Sequence, residues 1–493
     1  MSERIRVGIV SFTDPRSVDL ADEGEKYNRK CHQELAAHLE AAGLEVIDPL
    51  AKREKFFPIK STADVNYCIS ELRAADAECI VLGTWKWTDP MLAVGLARTL
   101  NLPTLLYCEA DVNWTGIGLM AAVGAGLWEI ASSNSTLNHT RIRADKDRAV
   151  DWAKGVGSLQ KLRKSSLMLW GGSYCLRMEH LQDDNSKLKS FLVGDILSES
   201  EYLLIRRSED IQKNHPEEIE GFIKWLETGG AKFRYDEKML TSESIRRQVA
   251  LYLAARQRLS ELEGETIAGV SIHCQPALSM EYGVTGCSLP AFLPFGFDHR
   301  GKQQVINTTC EGDIKGLITS TMLSLIHGDA PAQFGDIREV EAEGKRMLVI
   351  SNCGAASVYY AANSNDPKKV LPNVRISPQC QGASGAAYGY LGVAADEVTV
   401  SRLVRIAGEY TLHLGVGRAV DVTQKMVDSL VWGAVWPNAV VDLDWDIDQF
   451  VELMGSNHYS MIPGDHSTAI QYFAQEAGIP VVRIDGGDGC HCS

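Results

Sequence analysis

The first hundred residues alternate short apolar runs with longer amphipathic runs, and this alternation restricts the chain more than any other feature. Residues 5–11 and 79–82 have the length and composition of buried strands. Residues 28–42, 63–75 and 90–100 carry apolar side chains at helical spacing. Strands separated by helices predict parallel βαβ units, with helices on both faces of a doubly wound sheet.

The same alternation restarts further along the chain. Residues 166–170 form a strand-like run, long helical stretches follow at 216–228 and 241–262, and another strand-like run lies at 266–273. An apolar helix candidate follows at 314–326. This region predicts a second α/β domain.

Beyond about residue 334 the pattern changes to β-branched, alternating segments with glycine-rich joints, which predict a sheet or barrel. A helix at 467–477 and a strand at 479–484 end the pattern. We therefore predict an α/β protein with two doubly wound N-terminal domains, then a β-rich C-terminal domain with a closing α/β unit. The predicted domains are residues 1–163, 164–330 and 331–493.

Composition narrows the class of protein. The 493 residues are 45% hydrophobic and carry a formal charge of −15, and no Lys/Arg cluster offers the basic face that nucleic acid requires. The first residues lack an apolar signal core, and the most apolar helix candidate, 116–128, is too short to cross a bilayer. Ten of the twelve cysteines are scattered singly, as in reduced cytosolic proteins. We expect a cytoplasmic protein with no nucleic acid or membrane partner.

Several common catalytic motifs are absent from the sequence. No glycine pair continues into GxGxxG after a strand, and there is no GxxxxGK[ST] loop. The sequence also contains no HExxH helix and no GxSxG elbow. These absences argue against dinucleotide, P-loop, zinc-protease and serine-hydrolase functions.

Three acids and bases far apart in the chain suggest another chemistry. Glu311 lies in the segment TTCEGD, Asp336 in QFGDI, and His458 in GSNHY. Two carboxylates and an imidazole can hold a divalent cation and leave positions open for substrate, and ligands without thiolate favour Mn or Mg. Each residue also has an ordinary interpretation, as a first-turn helix acid, a turn residue and a loop histidine respectively.

The three segments resemble those of the L-fucose isomerase family, whose members are metal-dependent aldose–ketose isomerases. Further similarity lies in the segments NCGAA at 352–356 and PGDH at 463–466. The resemblance implies a fucose isomerase-like fold and a Mn²⁺ ion, with Mg²⁺ or Co²⁺ as alternatives. Its ligands would be Glu311, Asp336 and His458.

The resemblance also implies roles for other residues. Glu311 would act with Asp336 as the acid/base pair, and Gln275 and Asn457 would contact sugar hydroxyls or organise the metal shell, with core polar pairing as the alternative. Arg16, after the first strand, would contact the sugar, or else be a solvated surface residue. Trp85 would reach the active site of a neighbouring subunit in a homohexamer, or else belong to the core. The substrate-binding set implied by the resemblance is Arg16, Trp85, Gln275 and Asn457.

The implied activity is the interconversion of an aldose and its ketose by enediol proton transfer, with L-fucose and D-arabinose as default substrates. Cys353 and Ala355 stand where the family has serines, and both Tyr388 and Tyr390 are candidates for a family tyrosine. A different aldose, such as a sulfonated hexose, is therefore an alternative. Its anionic group would need Arg or Lys in the pocket, for which Arg16 is the candidate. A non-catalytic sugar-binding protein and metal-assisted hydrolysis or aldol cleavage are further alternatives.

Overall fold

The computed structural model describes residues 4–14, 21–51, 58–131, 139–262, 264–443 and 445–486. Their contacts divide into two compact units. The first unit takes in residues up to 161 together with 468–476, and the second takes in 162–467 and the residues from 477 onward.

The first unit contains a five-stranded parallel sheet in the order β2-β1-β3-β4-β5. Strand β2 is added on one side of β1, and β3, β4 and β5 are added on the other side. This order is that of a doubly wound sheet and confirms the predicted class. Its strands are β1 Arg6–Ser11, β2 Glu45–Ile47, β3 Cys79–Gly83, β4 Thr104–Cys108 and β5 His139–Arg143. Its helices are α1 Ala21–Ala41, α2 Thr62–Ala74, α3 Pro90–Leu100, α4 Gly116–Ile130 and α5 Lys146–Arg163.

Two apolar clusters cover the two faces of this sheet. Ile80, Leu82 and Leu106 pack with side chains of α2, α3 and α4. Val81 and Leu105, which are the sequence neighbours of these residues on the same strands, pack instead with α1 and α5. Successive strand residues point to opposite faces, so a sheet buried on both sides needs continuous apolar strands.

The second unit begins with a four-stranded parallel sheet in the order β12-β9-β6-β7. This sheet agrees with the second α/β region that the sequence predicted. Its strands are β6 Ser166–Trp170, β7 Asp195–Glu199, β9 Ile267–Ile272 and β12 Asn307–Cys310, and the nearby short strands are β8 Lys232–Phe233, β10 Phe297–Asp298 and β11 Gly301–Lys302. The helices of this region are α6 Asn185–Phe191, α7 Tyr202–Asn214, α8 Pro216–Thr228, α9 Ser242–Glu261, α10 Ser288–Phe292 and α11 Ile314–His327.

A large, mostly antiparallel sheet follows in the same unit. Six of its strands pair in the cycle β18-β17-β20-β13-β14-β19 and back to β18, which closes a barrel and agrees with the predicted sheet or barrel. The strands are β13 Gln333–Ala342, β14 Lys345–Ser351, β15 Arg375–Pro378, β16 Ala386–Leu391, β17 Ala395–Ile406, β18 Glu409–Val420, β19 Pro437–Asp442, β20 His458–Pro463 and β21 Val481–Arg483. The remaining helices are α12 Pro367–Val370, α13 Gln424–Asp428, α14 Ile447–Leu453 and α15 Ser467–Ala477.

The end of the chain differs from the closing α/β unit that the sequence predicted. Helix α15 belongs to the first unit, where Tyr472 joins the apolar cluster of α1 and α5. Strand β21 instead pairs in parallel with β18 in the second unit. The helix and the strand therefore contribute to two different cores. The predicted boundary between residues 330 and 331 lies inside the second unit and stays a prediction.

None of the helices in the described ranges is long and apolar enough to cross a membrane.

Candidate active site

Glu311 and Asp313 lie in the short turn between β12 and α11. Glu311 has a left-handed backbone with φ 65°, a conformation that costs energy for a residue with a Cβ and is concentrated at functional sites. Gly312 follows with φ 69°, and a Cβ there would stand 2.8 Å from the Gly172 carbonyl oxygen. Asp313 caps α11 by accepting a hydrogen bond from the Gly316 N–H. The turn therefore presents two carboxylates at the carboxyl end of a parallel strand.

Asp336 and His458 come from neighbouring barrel strands. They lie directly opposite each other in the antiparallel pair β13–β20. Residues opposite each other in such a pair have Cβ atoms about 4.5–5.5 Å apart, so the register alone brings the carboxylate and the imidazole together.

The structure brings the three predicted ligands together. His458 Nε2 lies 3.0 Å from Glu311 Oε2 and 3.4 Å from Asp336 Oδ1. His458 is fully buried and Glu311 is nearly so, at 6% exposure. The convergence required of metal ligands is present, and their binding of a metal stays a prediction.

The far side of the imidazole is held by a buried ionic network of Asp313 and Arg402. Asp313 Oδ2 lies 2.9 Å from His458 Nδ1, and Arg402 donates two hydrogen bonds to the Asp313 carboxylate, at 2.6 and 2.9 Å. Burial acts to raise the pKa of Asp313, but Arg402 and His458 hold that pKa far below its ordinary value. Asp313 is therefore ionised, so Nδ1–H of His458 donates to it and the neutral imidazole keeps its lone pair on Nε2.

This donor set fits a hard divalent cation. Glu311 Oε2 and His458 Nε2 are both buried and, despite their proximity, neither has a well-formed hydrogen bond. Buried polar atoms are nearly always paired, so two that are not indicate a missing partner. Among the described residues, no group of three or more His, Cys, Asp and Glu side chains is arranged to hold a metal ion, and these three contact one another directly. Opening of their contacts would be needed to admit an ion.

The same contacts alter the acid–base behaviour of His458. Burial acts to lower its pKa, but the nearby carboxylates of Asp313, Asp336 and Glu311 outweigh burial and raise that pKa well above the ordinary value. A proton on Nε2 and a cation at Nε2 exclude each other, so a bound ion would displace this proton.

Asn457 and Gln275 occupy different surroundings near the three residues. Asn457 donates to Asp336 Oδ1 at 2.8 Å, and His180 Nε2 lies 2.8 Å from the Asn457 amide oxygen. Gln275 lines a cavity together with Glu311, while its amide donates to the Gln381 carbonyl and accepts from the Ser279 hydroxyl. Asn457 thus orients a predicted ligand, and the sugar contacts predicted for both residues remain untested.

Trp85, of the predicted substrate-binding set, lies in the first unit. It is 2% exposed, and its indole N–H donates to the Ser11 hydroxyl at 2.7 Å. It belongs to the apolar cluster of α1 and α5, as its alternative role in the core predicts, and its contact with a neighbouring subunit stays a prediction. Arg16 lies outside the described residues.

The cavity beside Glu311 is lined by thiols. Its lining includes Cys274, Cys287, Cys310 and Cys353. The Cys353 thiol donates to Glu311 Oε1 at 3.8 Å. Burial raises the pKa of Cys287 to about 12, so that thiol stays protonated at neutral pH and is a poor metal ligand. Tyr388 and Tyr390, the two candidates for the family tyrosine, are both buried and bonded to other side chains.

The sequence analysis missed several residues of this site. Asp313 lies two residues after Glu311 in the sequence, directly before a predicted helix. An aspartate in that position predicts a helix cap close to the candidate ligand. Arg402 and His180 come from distant segments without a recognisable motif. Arg338 lies two residues from Asp336 on β13 and is a second candidate cation, while the expectation for Arg16 stays a prediction.

Comparison with known proteins supports the resemblance found in the sequence. Residues 350–485 match the family model of the L-fucose isomerase C-terminal domain, a range that contains Asn457 and His458 but not Glu311 or Asp336. The chain is 27% identical over 209 residues to sulfoquinovose isomerases of Priestia aryabhattai and Priestia megaterium. That alignment covers 41% of this chain and 41% of each relative. The chain is therefore similar to L-fucose isomerases in its C-terminal part and to sulfoquinovose isomerases over part of its length, and the predicted resemblance is confirmed.

Proposed function

We propose that this protein is a metal-dependent aldose–ketose isomerase. The observation that carries the proposal is the meeting of Glu311, Asp336 and His458, of which Glu311 and His458 are buried, with Asp313 and Arg402 fixing the imidazole. The family match and the isomerase relatives support the same reaction class.

The two carboxylates supply the acid–base chemistry. One carboxylate of the Glu311 and Asp336 pair removes the proton from C2 of the open-chain aldose while O1 is protonated, which gives the enediol. A proton returned to C1 with loss of the O2 proton gives the ketose, so no atoms are gained or lost. His458 orients the pair, because its ring lies within 3.4 Å of both. A bound Mn²⁺ would polarise the carbonyl and stabilise the charge that develops on deprotonation.

The substrate has two candidates. The family resemblance favours L-fucose and D-arabinose. The name of the relatives favours a sulfonated hexose, sulfoquinovose. Cys353 and Ala355 also stand where the family has serines near the sugar, so two hydroxyl groups that could contact a neutral sugar are missing. We favour the sulfonated hexose. A homohexamer and a cytoplasmic location belong to the same proposal.

Metal removal and restoration test this function. Protein stripped with a chelator should form no ketose from a panel of neutral and sulfonated aldoses, and added Mn²⁺ should restore turnover, with Mg²⁺ and Co²⁺ measured in parallel. His458→Gln removes a ligand and should lower kcat/KM by at least about 10³-fold, since the charge stabilisation is lost.

Glu339→Gln is the matched control. Glu339 lies on β13 beside the site but is exposed, so this variant should keep the activity of the unaltered protein. If Mn²⁺ restores no ketose formation from any aldose, the isomerase proposal is wrong and a sugar-binding protein is the better explanation.

A further inference from the structure

Arg338 places a positive charge beside the acidic site. It lies two residues beyond Asp336 on β13, and alternate residues of a strand point to the same face. Their Cα atoms are therefore about 6.6 Å apart, and the two charges interact. The acid and the guanidinium therefore extend from the same face of one strand.

The guanidinium of Arg338 is only partly satisfied. Its Nη2 donates to the Val431 carbonyl at 3.0 Å, and the group lies over the Trp436 ring, 5.8 Å from the centroid. Its Nη1 is shielded from solvent and has no hydrogen-bond partner. A buried, unpaired donor on a charged group is costly, so Nη1 is expected to find a partner in a ligand.

Trp436 offers a second donor next to the first. Its ring centroid lies 5.8 Å from the Arg338 guanidinium. Trp436 is 7% exposed, and its Nε1 has no well-formed hydrogen bond, although it interacts with the Cys380 thiol. The guanidinium and the indole N–H are therefore two neighbouring donors.

We propose that Arg338 binds an anionic substituent of the sugar, with the Trp436 indole as a second donor. This inference rests on the proposed function, because it places C1 and C2 at the carboxylates and the anionic end at the guanidinium. A sulfonate, carboxylate or phosphate presents several acceptor oxygens to these N–H donors, and charge-assisted hydrogen bonds are the stronger kind. A neutral sugar would leave Nη1 unpaired.

Binding measurements test the inference without relying on turnover. Calorimetric titration of the Mn²⁺-loaded protein would use sulfoquinovose, glucuronate, glucose 6-phosphate and neutral glucose, which distinguish the three anionic groups from one another and from no charge. Arg338→Gln should weaken the best anionic ligand about 10- to 100-fold and change glucose binding less than about 2-fold. Arg338→Lys should recover part of the loss because it keeps the charge without the planar fork.

Arg346→Gln is the matched control, because Arg346 is 63% exposed on the neighbouring strand β14. It should bind every ligand as the unaltered protein does. Thermal melting and Mn²⁺ titration of each variant would verify that Arg338→Gln is folded and retains its ligand set.

The outcomes separate the two proposals. A selective loss of anion binding in Arg338→Gln supports the inference even if no aldose is converted, a result that would contradict only the isomerase function. If the unaltered protein binds glucose as tightly as the anionic sugars, or Arg338→Gln binds them equally well, the anion site is wrong. In a turnover assay, the loss should appear mainly as a higher KM, since the anionic end does not react.

Discussion

The five-stranded sheet of the first unit and the barrel site of the second are equally buried but chemically opposite. Ile80, Leu82 and Leu106 are 0% exposed and surrounded by apolar side chains. Asp313, Arg402 and His458 are also 0% exposed, yet they carry or can carry charge. An apolar side chain is stabilised by burial alone, whereas a buried charge is tolerated only when its partners are complete.

The difference separates paired from unpaired groups near the candidate site. The Asp313 carboxylate is paired by Arg402 and by His458 Nδ1 without any added group. Glu311 Oε2, His458 Nε2 and Arg338 Nη1 have no hydrogen-bond partner. We therefore assign Asp313 to the scaffold and propose that the unpaired atoms face a ligand.

Asp313→Asn should have the largest effect. It would leave Arg402 buried without its counter-charge, so the unfolding free energy of the second unit should fall by about 3–5 kcal/mol. The loss of the acceptor at His458 Nδ1 should also weaken Mn²⁺ about 10- to 100-fold. Urea unfolding and Mn²⁺ calorimetry would measure both effects.

The control for this variant is Asp195→Asn. The Asp195 side chain is half exposed and its ion pair with Lys189 is on the surface, so removal of its charge should cost less than about 1 kcal/mol. Equal stability of Asp313→Asn and the unaltered protein would show that the buried network is not structural.

Leu82→Ala tests the apolar side of the comparison. Leu82 is fully buried between β3 and the helices α2 to α4, and removal of its side chain should cost about 2–5 kcal/mol through lost burial and a new cavity. Leu82→Met nearly conserves the volume and should cost less than about 1.5 kcal/mol. The Mn²⁺ affinity of the folded Leu82→Ala protein should not change, and a tenfold loss would contradict the separation of scaffold and site.

The pH dependence of metal binding should show a smaller effect. Because the folded pKa of His458 is raised, its protonation stabilises the metal-free protein below the unfolded pKa, about 6.5, and this stability is lost as the pH rises through the folded pKa. Mn²⁺ displaces that proton, so Mn²⁺ affinity should rise with pH while His458 is protonated, by up to about 1.4 kcal/mol per pH unit.

Melting temperatures with and without Mn²⁺ at pH 6.0, 7.0 and 8.5 would measure this dependence. His215→Gln, which changes an exposed histidine, should keep the pH dependence of the unaltered protein. A Mn²⁺-induced shift that is the same at every pH would contradict a proton on Nε2.

Helix boundaries were the features most accessible from sequence, because local chemistry decides them. The helix predicted at 90–100 is α3, where Asp89 accepts a hydrogen bond from the Met91 N–H, Pro90 opens the first turn, and Asn101 ends the helix with a left-handed backbone. The helix predicted at 216–228 is likewise α8. The capping residues Asp89, Pro90 and Asn101 lie within one turn of the helix ends that they fix.

Long-range partners were not accessible in this way. Arg402 lies 89 residues from Asp313 along the chain, and nothing in its own segment marks it as buried. The pairing of β18 with β19 that closes the barrel, and the placement of α15 in the first unit, also depend on residues far apart in sequence.

The sequence by itself determined the α/β class, most strand and helix positions, and the residue types able to hold a cation, because periodicity, caps and donor chemistry are properties of neighbouring residues. Only the tertiary structure decided that Glu311, Asp336 and His458 meet, that Asp313 and Arg402 complete the support, and that Arg338 has an unpaired nitrogen beside them. These features arise from strand register and from the cost of burying charge, and both depend on what the rest of the chain brings near.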